Sequence, residues 1–169
     1  MMVTKTDTQT FVYATYIRTT PEKLWQALTN GEFSEKYWMG FRVEVEQRAG
    51  GRIYFRPPKG QDAVFFKEEG GKVLVCETNR KLVYEFAICK DTPEVAAKRE
   101  GPSRVTYELT PMGDMVRLRL IHENLLPEDT AQDPNTMKGI NNGWPAILSS
   151  LKSLLETGQA IPLTRPGKN

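Results

Sequence analysis

Three kinds of side chain are scarce or poorly placed for chemistry in this 169-residue chain. There is one histidine, His122, and there are two cysteines, Cys76 and Cys89. A zinc site needs three or four ligands. These residues are widely spaced, with neither CxxC nor HxxxH separation, so no metal centre is expected. An excess of charge of one sign is also lacking: 23 Lys and Arg against 21 Asp and Glu leave a net +2. That balance carries no electrostatic footprint for nucleic acid or an anionic membrane. No run of about 18 apolar residues occurs, so no membrane span is expected. The N-terminal Met1-Met2-Val3-Thr4-Lys5-Thr6-Asp7 lacks the apolar core of a signal peptide. With so few cysteines, a cytoplasmic, reducing location is the expectation. Gly50-Gly51 and Gly70-Gly71 suit hairpin turns and do not fall into phosphate-cradling spacing. Ser149-Ser150 bring no implied histidine partner. No catalytic residue and no cofactor is therefore assigned.

What is present is pattern. Thr10 to Ile17 is rich in β-branched and aromatic residues and reads as a strand. Thr20 then offers an N-cap and Pro21 a first helical residue whose missing N–H costs nothing. Leu24, Trp25 and Leu28 share one face, and Asn30-Gly31 closes this short helix. Glu32 to Trp38 predicts a second. From Phe41 the period becomes two. Strands are expected over Phe41 to Glu46, Arg52 to Arg56, Lys72 to Glu77, Leu82 to Cys89, Arg104 to Thr110 and Met115 to Glu123. Their turns are mostly of hairpin length, so the sheet should be antiparallel. Pro57 to Gly70 is a polar insert, and Asp91 to Pro102 a charged loop with room for one helical turn. Met137, Ile140, Trp144, Ile147, Leu148, Leu151, Leu154 and Leu155 then mark a long helix with one broad apolar face. Pro145 lies inside that pattern and should kink the helix or set its start near Asn142-Gly143. Gly158 ends it. The domain is expected to span residues 10–158, with flexible termini at 1–9 and 159–169.

A one-layer sheet must cover its apolar face, and the long helix is the only element large enough to do so. The order of elements resembles the START-like helix-grip (SRPBCC) superfamily. It is most similar to the branch homologous to the C-terminal domain of the activator of heat shock protein 90 ATPase. The resemblance rests on Thr20-Pro21-Glu22-Lys23-Leu24-Trp25-Gln26-Ala27-Leu28-Thr29, on Trp38, and on Asn79 to Phe86. It rests also on Leu120-Ile121-His122-Glu123-Asn124-Leu125 and on Gly143-Trp144-Pro145-Ala146-Ile147-Leu148 with its continuation to Gly158. It implies an α+β fold with a curved antiparallel sheet of about seven strands gripping the C-terminal helix. The fold hosts ligand carriers, cyclases and regulators alike, so three functions stand open. The first is binding of an apolar or amphipathic small molecule between sheet and helix. The second is a co-chaperone-like module regulating a chaperone ATPase. The third is a cyclase or dehydratase using His122.

The candidate lining of the crevice is Trp25, Tyr37, Trp38, Met39, Phe55, Tyr84, Phe86, Tyr107, His122, Trp144, Ile147 and Leu148. Alternation along the strands points Leu82, Tyr84 and Phe86 one way, Val105, Tyr107 and Leu109 likewise, and His122 with Val116, Leu118 and Leu120. Tyrosines on such faces bring phenol groups that need partners when buried. His122 is either a polar group at a cavity or a neutral core histidine bonded to a neighbour. Val64-Phe65-Phe66 is a cavity lid, a homodimer contact or an extra edge strand. Cys76 and Cys89 fall about 20 Å apart in the expected hairpin register. Disulfide geometry needs Cα atoms within about 7 Å, so free thiols are predicted.

Overall fold

The computed structural model describes residues 4–61, 70–86 and 92–163. Val64-Phe65-Phe66 and Cys89 lie outside them; Cys76 is a free thiol. The elements follow in the order β1 (Gln9–Ile17), α1 (Pro21–Thr29), α2 (Gly31–Tyr37), β2 (Arg42–Val45), β3 (Arg52–Arg56), β4 (Gly71–Glu77) and β5 (Lys81–Phe86). The short α3 (Pro93–Ala96), β6 (Ser103–Met112), β7 (Met115–Leu125) and α4 (Ile140–Thr157) complete the chain. The strands form one antiparallel sheet in the order β1-β7-β6-β5-β4-β3-β2. β1 and β2, adjacent in sequence, therefore stand at opposite edges, and the α1–α2 pair spans between them.

Local chemistry explains the helix boundaries. Thr20 Oγ1 accepts from Lys23 N at 3.3 Å and Pro21 follows at the first helical position. Asn30 ends α1 and caps α2 through Oδ1, which accepts from Glu32 N at 2.9 Å. Tyr37 Oη donates to Ala27 O at 2.7 Å, binding α2 to α1. Ser34 Oγ accepts from Val43 N at 2.6 Å and docks the pair on β2.

α4 buries Trp144, Ile147, Leu148 and Leu151 on the face predicted. It begins at Ile140, upstream of Asn142-Gly143, and Met137 precedes it in the loop. Pro145 is tolerated because side chains anchor the first turn. Asn141 Nδ2 donates to Ala131 O at 2.8 Å, and its Oδ1 accepts from Ala131 N at 2.9 Å. Asn142 Nδ2 donates to Asp133 O and Lys138 O. Gly139 sits at φ +84° against this loop, where an added Cβ would lie 2.5 Å from Ala131 N. The segment after Gly158 is bonded back to α4. Ser153 Oγ donates to Gln159 O at 2.7 Å and Ser150 Oγ to Ile161 O at 2.8 Å, laying it along α4 with Leu163 packed on the core.

Candidate functional site

The inward faces of β3, β5, β6 and β7 meet α2 and α4 in one cluster of rings. Trp38 and Trp144 approach edge-to-face at 5.3 Å between centroids, Trp38 and Phe55 at 5.6 Å, and Phe55 and Phe86 at 5.7 Å. Phe86 packs on His122 at 4.9 Å, and Tyr84 on Tyr107 at 5.7 Å. Edge-to-face geometry suits the ring quadrupoles and fills space densely. Tyr37 completes the cluster beside Trp38, and Leu148 lies buried with it. Trp25 is equally buried in the same hydrophobic core, its indole donating to Gln47 Oε1 at 2.9 Å. Met39 is half-buried at the end of the crevice, in the left-handed region at φ +50°.

The polar atoms inside this apolar cluster form two groups. In the first, Trp144 Nε1 donates to His122 Nδ1 at 3.0 Å. An indole N–H can only donate, so Nδ1 is the acceptor and the proton sits on Nε2. Nε2 then donates to Ser103 Oγ at 2.8 Å, which donates to Phe86 O at 3.3 Å. Burial first, and the Arg99 charge second, push the His122 pKa down to about 3. The imidazole is therefore neutral at ordinary pH with both nitrogens engaged. It holds α4 to β6 and β7, and has no free lone pair for acid–base chemistry.

In the second group, Tyr84 and Tyr107 share one hydrogen bond, Oη to Oη, at 2.9 Å. Two phenols bring two hydrogens, and this bond uses one. The other meets no acceptor among the described residues. Burial drives both phenol pKa values well above the ordinary tyrosine range.

Of the twelve predicted residues, eleven belong to or border one hydrophobic core, and His122 lies buried against its rings. Where α4 meets α2 and the C-terminal segment, Met39, Met137, Gly143, Ala146, Ile147 and Leu163 leave a gap of about 20 Å³. That is roughly the room of one water. A much larger groove, about 500 Å³, lies on the opposite face of the sheet. It is open and polar, bordered by Thr8, Thr10, Glu85, Arg104 and Glu123.

Sequence reasoning missed two features. Ser103 shares the inward parity of Val105 and Tyr107, so starting β6 one residue earlier would have found it. Arg99 and Asp129 form an ion pair at 2.9 Å, with each side chain 1% exposed. Arg99 Nη1 also donates to Asn124 O, and Asp129 Oδ2 accepts from Leu126 N at 2.9 Å. Asn124, at φ +60°, donates through Nδ2 to Glu100 O, Gly101 O and Pro102 O. These contacts clamp the loop after α3 onto the end of β7. No periodicity announces them, because both partners sit in irregular segments. Among the described residues no group of three His, Cys, Asp or Glu side chains could hold a metal, and no helix is long and apolar enough to cross a membrane.

Comparison with known proteins agrees with this architecture. The family model for activator of Hsp90 ATPase homolog 1-like proteins matches residues 18–156. The crystal structure of protein MLL2253 from Mesorhizobium loti is 27% identical, with a TM-score of 0.62 over 87% of this chain and 96% of that one. The Aha1 dimer from Colwellia psychrerythraea is 22% identical, with a TM-score of 0.60 over 90% and 99%. PFC0360w, an HSP90 activator from Plasmodium falciparum, is 20% identical, with a TM-score of 0.60 over 86% and 95%. No functionally curated protein matches significantly in sequence. The match covers most of the chain, and the seven-stranded sheet closed by a C-terminal helix has the same build. The chain therefore belongs to the activator of Hsp90 ATPase homolog 1-like family, with its helix-grip fold.

Proposed function

We propose that the chain acts through its surface, as a protein-interaction module of the kind that chaperone ATPase activators represent. The observation that carries this reading is the family match over residues 18–156. Beside it, the gap that the described residues Met39, Gly143, Ile147 and Leu163 leave is about 20 Å³, against the roughly 300 Å³ or more that small-molecule sites enclose. Rings and a hydrogen-bonded histidine hold α4 against the sheet, and these contacts serve stability. The family description and the Plasmodium HSP90 activator name the partner class to test first, an Hsp90-type chaperone. The experiment measures the chaperone's ATP hydrolysis with and without excess protein, with direct binding followed by calorimetry. Binding with a changed hydrolysis rate is expected; no binding and an unchanged rate would overturn the reading.

One observation favours a second reading, the binding of an apolar or amphipathic small molecule by the crevice residues. The unspent phenol hydrogen of the Tyr84–Tyr107 pair lies in an apolar interior and would suit a ligand carbonyl or ether oxygen. The Trp144 ring packs against Trp38, Phe86 and Tyr107 beside that pair, and a ligand there would meet it. A thermal-shift and native mass-spectrometry screen against fatty acids and flat polyketide-like aromatics tests it. A ligand whose stabilisation disappears in the Tyr84→Phe/Tyr107→Phe protein supports this reading, and an empty screen removes it. Enzymatic use of His122 has no comparable support, since that imidazole is engaged at both nitrogens.

A further inference from the structure

The two edges of the sheet are built differently. β2 is four residues long and carries Arg42 and Glu44, with Arg42 paired to Glu35 at 3.1 Å. Brevity and charge are the usual ways of keeping an edge from recruiting another strand. β1 is nine residues long, Gln9–Ile17, and contains no charged residue and no proline.

Two contacts fix which way its backbone points. Lys152 Nζ donates to Tyr16 O, and Arg18 N donates to Glu156 Oε2 at 2.8 Å. In an antiparallel ladder the N–H and C=O of one residue point to the same side, and those of the next residue to the other. Phe11, Tyr13, Thr15 and Ile17 face His122, Leu120, Leu118 and Val116 of β7. Thr10, Val12 and Ala14 therefore point outward with Tyr16. Among the described residues, α4 caps the edge at Tyr16 and Arg18, and nothing bonds the outward groups of Thr10, Val12 and Ala14. The side chains are uncharged on both faces of this open stretch. Val12 is 49% exposed on the outer face, while Phe11 and Tyr13 are half-buried on the inner face.

We propose that this open stretch of β1 is a homodimer interface, in which β1 pairs antiparallel with β1 of a second copy about a two-fold axis through Val12. The strand is close to self-complementary around that residue. The axis sets Phe11 against Tyr13 of the second copy, Tyr13 against its Phe11, and Thr10 against its Ala14. Aromatic cross-strand pairs are favourable, and no like charges meet. The outward N–H and C=O of Val12 meet their own equivalents, which closes the interface and leaves only the short, charged β2 edges free in the joined sheet. A highly charged peptide would find no counter-charge on this stretch, so a second copy suits it better. The inference is independent of the chaperone reading.

Sedimentation velocity and light scattering on the full chain, from micromolar to several hundred micromolar, test it. Concentration-dependent dimerisation is expected. Val12→Lys places like charges across the axis and should weaken the dimer by about tenfold or more. Ala14→Pro removes an outward N–H that the chain's own ladder does not use, and should act in the same direction. Circular dichroism checks that each variant keeps the fold, and Val12→Lys, on an exposed side chain, serves if the proline variant does not. Val12→Cys should cross-link on oxidation, because the facing Cα atoms would lie about 5.5 Å apart. A monomer at every concentration would overturn the proposal. So would a dimer that both Val12→Lys and Ala14→Pro leave intact and that Val12→Cys does not cross-link.

Discussion

Acid titration of the wild type against His122→Asn probes the interior closely, because the chain has a single histidine. In the unfolded chain that imidazole titrates near its ordinary value of about 6.5. In the fold, burial and the nearby Arg99 charge hold it down to about 3. Between those values the unfolded state binds a proton that the native state refuses. Stability therefore falls as pH drops below about 6.5, and this loss is complete only below about 3. At about 1.36 kcal/mol per pKa unit, the full loss is roughly 5 kcal/mol, of which roughly 3 kcal/mol has gone by about pH 4. That is a large share of the ~5–15 kcal/mol by which domains are stable. Glu94, Glu100, Glu128 and Glu156 also have lowered pKa values and lose native stabilisation in acid, but they are common to both proteins. Urea unfolding at a series of pH values isolates the histidine. His122→Asn should be the less stable protein at neutral pH, and its deficit should shrink by roughly 3 kcal/mol on going to about pH 4. A deficit that stays constant would refute the reasoning. So would a folded-state imidazole NMR signal that titrates near the ordinary histidine value.

Two further substitutions test the polar interior. Asp129→Ala removes one member of the buried ion pair and the acceptor for Leu126 N, and should cost about 3 kcal/mol or more in urea unfolding. The Tyr84→Phe/Tyr107→Phe protein should match or exceed the wild type in stability. It removes one hydrogen bond together with one unspent buried hydrogen, whereas either single replacement strands the remaining phenol at a cost of about 1 kcal/mol or more. Equal losses added over the two single changes would contradict that accounting.

Much of the fold is legible along the chain because its causes are local. Alternation in Val116, Leu118, Leu120 and His122 points the histidine inward whatever surrounds it. Thr20-Pro21 starts α1 by satisfying or forgoing backbone donors within one turn. The stripe from Ile140 to Leu151 sets the buried face of α4. Where local rules competed, they misled. Pro145 argued for a later helix start, but Asn141 and Asn142 hold the first turn through loop carbonyls that sequence alone does not place. The segment after Gly158 looks unstructured by composition, yet its carbonyls are bound by Ser150 and Ser153, two hydroxyls on α4.

The sequence by itself determined which way strand residues such as His122 point and the order in which strands and helices follow one another. Only the tertiary structure decided that Trp144 and Ser103 take up both nitrogens of His122, and that β1 stands at one edge of the sheet. Direction follows from backbone periodicity, which a few neighbours dictate. Whether space remains between opposed faces depends on summed side-chain volumes and on registers between strands far apart in the chain, such as Val105 opposite His122.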